Sequence, residues 1–175
     1  MQLLQINSPD VSEDDYLATI ERKTARLFQS ATHLAAVLAA TDLLSEKALM
    51  AYGLNLGIAF QISDDLLDYT RQSTIMGKNP GDDLADGKCT LPLIHALKTA
   101  TRVEKKLIRT AIENGDRGKF DHIRNIIGSS GSINYTTALA SNFAEAAKAN
   151  LKLFPESPFV RALYRLADFS VFRIH

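Results

Sequence analysis

Apolar residues in this chain return at intervals of three and four, and that period limits the fold more than any other feature. Leu17, Ile20, Leu27, Phe28, Ala31, Leu34, Ala35 and Leu38 keep it over the first forty residues, and the spacing predicts a helix over about 12–40. Ser12 is placed to cap that helix, with Asp15 three residues on to reach back. Glu13, Asp14 and Asp15 put acids in the first turn, where the helix dipole is positive. A second long helix is expected from a Ser45 cap to about Tyr69, with Leu49, Tyr52, Leu56 and Phe60 on its apolar face. Residues 70–90 change character, because Gly77, Pro80, Gly81 and Gly87 punctuate a polar stretch rich in Lys and Asp. Further helices follow. One opens at Thr90 with Pro92 in its first turn and ends near Ala100; one opens on the capping-box pattern Thr101–Glu104 and ends near Asn114-Gly115. A shorter one covers about 119–128, Ser132 is placed to cap one that runs to about Leu153, and Ser157-Pro158 opens the last, to about 173. No run reads as a strand and no repeat is present, so the expectation is an all-α chain forming a single domain over 1–175.

Composition narrows the partners. Twenty Lys plus Arg balance twenty Asp plus Glu, for a formal net charge of zero, which gives no general attraction to nucleic acid or an anionic membrane. Any anion site must be built locally. The single cysteine, Cys89, cannot form an internal disulfide, which fits a reducing cytosol. No apolar run is long enough for a transmembrane segment, and Met1–Ile6 lacks the basic region and length of a signal peptide, so a cytoplasmic location is expected.

The chemistry concentrates on the second helix. Positions three and four apart share a helix face, so Gln61, Asp64, Asp65 and Asp68 form one polar stripe, with Gly57 leaving space a turn earlier. Three neighbouring carboxylates repel unless a cation lies between them, and hard oxygen ligands on a rigid scaffold suit Mg²⁺, which commonly bridges to substrate phosphates. The competing reading is a solvated acidic face answered by nearby lysines. Asp82-Asp83-Leu84-Ala85-Asp86 repeats the D-D-x-x-D spacing just after Pro80-Gly81, where its side chains need not converge. Spacing alone does not choose between the two runs; helical context favours the first. Lys78 and Lys88 in the glycine-punctuated loop suit a diphosphate, against the ordinary fate of a surface lysine. On the first helix, Thr24 lies on the inner stripe with Ile20, Leu27 and Phe28, and Lys23 borders it, where a snorkelling lysine is the simpler account.

Together these segments resemble the second half of the trans-prenyl diphosphate synthases, the polyprenyl synthetase family. The resemblance rests on Lys23-Thr24-Ala25, on Gly57 to Tyr69 with its Phe60-Gln61 and Asp64-Asp65-Leu66-Leu67-Asp68, on Gly77 to Leu84, and on Asp86 to Pro92, in that order and spacing. It covers nearly the whole chain, most strongly 16–97, and is nearest to the long-chain, octaprenyl-type branch that supplies quinone side chains. It implies the C-terminal half of the isoprenoid synthase helical bundle and a prenyltransferase. In that reaction an allylic diphosphate ionises, isopentenyl diphosphate attacks the cation, and a proton is lost. Mg²⁺ and lysines stabilise the departing pyrophosphate. By the resemblance, Asp64 and Asp68 are metal ligands and Asp65 acts through the metal shell. Lys23, Lys78 and Lys88 hold the allylic diphosphate, Gln61 and the Thr24 carbonyl stabilise the cation, and Phe60 lines the isopentenyl side.

The family also implies an earlier Asp-rich motif followed by paired arginines, and no such pattern precedes Asp64 here. A fragment, a truncated product or one part of a split enzyme is therefore expected. Its inner apolar stripes on 12–40 and 45–69 would be exposed, favouring a homo-oligomer or association with the missing N-terminal half. A reading from another class is a non-catalytic or regulatory subunit of a heteromeric synthase. Co-purification with a distinct synthase subunit separates the two.

Overall fold

The computed structural model describes residues 6–71 and 80–172. Among these, every regular element is helical. The order is α1 (Glu13–Ile20), a π-helical turn (Glu21–Ala25), α2 (Arg26–Leu38), α3 (Leu43–Thr70), α4 (Asp82–Ala85), α5 (Leu91–Thr99), α6 (Arg102–Asn114), a 3₁₀ turn (Arg117–Lys119), α7 (Phe120–Ser129), α8 (Ser132–Leu151) and α9 (Pro158–Phe172). The chain forms two compact units. One gathers Met1–Thr19 and Asp64–Thr137, the other Ile20–Ser63 and Ala138–His175, as far as their residues are described.

Most helix ends follow the capping residues that the sequence offers. The Ser12 hydroxyl accepts from the Asp15 backbone N–H at 3.1 Å. Thr101 and Glu104 complete a reciprocal capping box, and Gly115 closes α6 in the left-handed conformation. Ser157 accepts from Val160 N–H at 3.1 Å to start α9. Two ends differ from expectation. Asp42, not Ser45, caps α3: its carboxylate accepts from the backbone N–H of both Leu44 and Ser45 at 2.8 and 3.0 Å, so the helix starts at Leu43 and the Ser45 hydroxyl, inside the first turn, donates to Asp42 at 2.8 Å. Ser132 is drawn into contacts with His95 and Ser130, at 2.9 and 2.8 Å, as α8 begins.

In the unit that holds Asp64, helices α5, α6 and α7 pack on one another around Leu91, Leu93, Ile108, Ile112, Ile123 and Ile127, all fully buried. Each such side chain stabilises the fold by roughly 1.5–3 kcal/mol. In the other unit, Tyr52 and Leu56 of α3 enter a core with Ala147 and Leu151 of α8 and Ala167 of α9, joined by Phe28, Leu163 and Tyr164. The Tyr52 hydroxyl donates to the Leu163 carbonyl at 2.9 Å. The apolar face expected to be bare on 45–69 is thus covered at Tyr52 and Leu56. The one on 12–40 is covered at Ile20 and Phe28 but bare at Leu27, Leu34 and Leu38, which are 73%, 58% and 78% exposed.

The π turn also departs from the sequence reading of one regular helix. The Arg26 N–H reaches the Glu21 carbonyl, five residues back, which widens the helix at Lys23-Thr24. Such turns are rare and concentrate at functional positions. No residue pattern announces this one.

Candidate active site

Two clusters hold most of the residues singled out from the sequence, one in each unit. In the unit of Ile20–Ser63, α3 passes close to the π turn because Gly57 has no side chain. A Cβ there would meet Ala25 Cα at 2.5 Å. The approach lets the Thr24 hydroxyl donate to Gln61 Oε1 at 2.7 Å, partly buried. One residue before Gln61, the Phe60 ring lies 5.4 Å from that of Phe28. Lys23 is exposed on the same turn.

In the other unit the carboxylates gather at the end of α3. Asp65 is 7% exposed and its Oδ2 accepts from the buried Tyr16 hydroxyl of α1 at 2.7 Å. Asp68 accepts from the backbone N–H of Gly81 and of Asp83, both at 3.1 Å, and so ties the start of α4 to the end of α3. Gly81 makes the turn possible. Its φ is 84°, and a Cβ there would strike the Phe120 ring at 2.6 Å. Leu84, fully buried, anchors α4 from its other face.

The second D-D-x-x-D run therefore has a place that its loop setting did not suggest. It forms a short helix, and Asp83 comes close enough to bear on both Asp68 and Tyr16. Asp83 and Asp86 hold the Lys88 ammonium between them, each at 2.8 Å, and Asp82 pairs with Arg117 at 3.1 Å. Burial pushes Lys88 down, but its hydrogen bonds to Asp83 and Asp86 outweigh this and hold it above the ordinary lysine value. Lys88 is therefore a charged group fixed in direction. Lys78, the other loop lysine, lies outside the described residues. Burial pushes the Cys89 thiol up to about 12, which leaves it without nucleophilic character.

Asp68 is electrostatically strained. Burial first, and then the charge of Asp83, push its carboxyl up to about 6, against the pull of the Asp83 and Gly81 N–H groups. The folded chain thus binds a proton at pH values where the unfolded carboxyl, near 3.8, has already lost it. Its contribution favours the fold below that value and is lost as the pH rises through about 6. Urea midpoints in metal-free buffer are expected to fall across this window, and Asp68→Asn to flatten the fall. An unchanged slope in the variant would assign it to other groups.

Among the described residues no three carboxylate, imidazole or thiol groups converge as ready ligands for one ion. The donor set still fits Mg²⁺. Asp64, Asp65, Asp68 and Asp83 are hard-oxygen donors, the charge of Asp83 bears on Asp68, and coordination would be completed by water and phosphate oxygens. Mg²⁺ characteristically binds that way, in preference to an all-protein cage.

The Polyprenyl synthetase family model matches residues 1–128. The chain belongs to the polyprenyl synthetase family. It is 42% identical over 174 residues to octaprenyl diphosphate synthase of Escherichia coli (strain K12), covering 99% of this chain and 54% of that protein. Over the same share of this chain it is 40% identical to the all-trans-nonaprenyl-diphosphate synthase (geranyl-diphosphate specific) of Rhodobacter capsulatus, covering 53% of it. Among solved structures it is similar to a polyprenyl synthase from Caulobacter crescentus CB15 complexed with calcium and isoprenyl diphosphate. The TM-score is 0.93 at 40% identity, with 99% of this chain and 54% of that one covered. The chain spans about half the length of the curated relatives it matches. No helix of the described residues is long and apolar enough to cross a membrane.

Proposed function

We propose that this chain is the C-terminal part of one polyprenyl synthetase domain, in a trans-prenyl diphosphate synthase. It would extend an allylic diphosphate with isopentenyl diphosphate to a long, octaprenyl-type chain used for quinones in the cytoplasm. The observation that carries the reading is the bond from the Asp83 backbone N–H to Asp68, which brings the second acidic run to the end of α3 with Lys88 fixed beside Asp83. Its support from relatives is the 42% identity across 99% of the chain and the calcium and isoprenyl diphosphate in the Caulobacter enzyme.

Mg²⁺, when bound, supplies Lewis-acid and electrostatic stabilisation of the pyrophosphate that departs. The protein does the rest. Asp64 and Asp68 would hold the cation directly, with Asp65 behind them. Lys88, aimed by Asp83 and Asp86, and Lys23 and Lys78 would take the diphosphate oxygens. A charged donor already fixed in place spends no reorganisation when negative charge develops. Gln61, oriented by the Thr24 hydroxyl, and the Thr24 carbonyl would turn oxygen dipoles toward the allylic cation, and Phe60 would line the isopentenyl side. The exposed Leu27, Leu34 and Leu38 support association, with a second copy or with the segment that carries the other Asp-rich motif.

The test joins this chain to the part of the Escherichia coli octaprenyl diphosphate synthase outside its matched share. Labelled isopentenyl diphosphate is then followed into product. Product from the pair, and none from the 175-residue chain alone, is the expected result. A stable pair that makes no product at any Mg²⁺ concentration would favour a regulatory subunit instead.

A further inference from the structure

Tyr16 belongs to none of the motifs above, yet its side chain reaches from α1 to the Asp-rich segment. It is 5% exposed, and its hydroxyl donates to Asp65 Oδ2 at 2.7 Å across 49 residues of sequence. Asp83 and Asp64 lie close enough for their charges to bear on the same hydroxyl. A phenylalanine would fill the same volume, so packing does not account for the oxygen. A buried carboxylate, by contrast, needs donors if it is to remain an anion in a fixed direction. Groups that hold a metal-binding carboxylate from behind set its orientation and its basicity, and losing one commonly weakens metal affinity about 10–100-fold.

We propose that Tyr16 is a positioning residue. By holding Oδ2 of Asp65, its hydroxyl sets the direction in which the Asp-rich end of α3 presents its carboxylates to a divalent cation. The inference rests on the metal reading of Asp64, Asp65 and Asp68. Tyr16 itself touches neither cation nor substrate. It acts through Asp65, and it ties the start of the chain to a site that begins 48 residues later.

The experiment measures Mn²⁺ affinity of the 175-residue chain by water-proton relaxation, with far-UV circular dichroism as the control for folding. The variants are Tyr16→Phe, Asp65→Ala, the double variant and Asp64→Asn. Tyr16→Phe is expected to weaken Mn²⁺ binding about tenfold with a thermal midpoint near that of the parent chain. In the Asp65→Ala background, where no side-chain acceptor is left for the hydroxyl, it is expected to have no further effect, because its route to the cation is gone. Unchanged affinity in Tyr16→Phe overturns the proposal. So does an equal loss in both backgrounds, which a general loosening would produce. Should Tyr16→Phe fail to fold, site-specific fluorotyrosine at position 16 keeps the side chain and alters the donor; a shifted Mn²⁺ affinity then supports the proposal and an unshifted one overturns it. Asp64→Asn separates the two levels. If it weakens Mn²⁺ binding while Tyr16→Phe does not, only the role of Tyr16 falls. If the parent chain takes up no Mn²⁺, or Asp64→Asn changes nothing, the metal reading falls and this inference with it.

Discussion

Gly57→Val is expected to lower the thermal midpoint of the chain by on the order of 10 °C. The added Cβ would lie 2.5 Å from Ala25 Cα, 3.0 Å from Ala25 Cβ and 3.2 Å from Phe28 Cβ. The nearest atom is backbone, so no rotamer change relieves the clash, and α3 must move away from the π turn. Inserting bulk into a close-packed contact usually costs about 1–3 kcal/mol, and a contact that cannot yield belongs at the upper end. Movement there also parts Thr24 from Gln61, whose 2.7 Å bond depends on the same approach. The variant should therefore lose the fixed orientation of Gln61 even where it still folds. Thermal melts followed by circular dichroism give the first readout. A midpoint equal to the parent's would mean that the approach of Ala25 to Gly57 does not hold the unit together.

Asp64→Ala carries the other large effect, on chemistry. In a complete synthase assembled from this chain, it is expected to reduce product formation on the order of 10²–10³-fold at saturating substrate, the equivalent of several kcal/mol of lost transition-state stabilisation. The fold should survive. Asp64 is partly exposed on α3, and alanine is the best helix former. The loss should appear in kcat and should shrink as Mg²⁺ is raised, because a weakened site is partly refilled by mass action. A variant that turns over at the parent rate would remove Asp64 from the reaction and leave the acidic face as a solvated surface.

The two variants probe parts of the protein that differed in how far the sequence exposed them. The helices were legible because their signals are local. Ser12, the Thr101–Glu104 box, Gly115 and Ser157 each satisfy backbone groups within a turn of themselves. The stripe of Gln61, Asp64, Asp65 and Asp68 was legible for the same reason, since helix geometry alone puts those positions on one face. Asp42 was missed as a cap, although its carboxylate before Leu43 is the kind of signal that locates a helix start.

Other features depend on residues far apart in the chain. The π turn at Lys23-Thr24 follows no residue pattern, and the role of Gly57 in admitting it shows only when α3 lies against Ala25. The second D-D-x-x-D run read as a loop whose carboxylates need not converge. In the fold, the N–H groups of Gly81 and Asp83 bind Asp68, and that brings Asp83 to the first run and Lys88 to a fixed direction. Tyr16 carried no signal, because hydrogen bonding across 49 residues leaves no spacing to read.

The sequence by itself determined that the chain is helical, where most of its helices begin, and that one helix carries a carboxylate stripe. These follow from period and capping, which are properties of a few neighbouring residues. Only the tertiary structure decided which groups face that stripe: Tyr16 behind Asp65, the Gly81–Asp83 backbone on Asp68, and Asp83 with Asp86 on Lys88. Such pairings are set by how helices pack, and packing depends on the shapes of both partners at once.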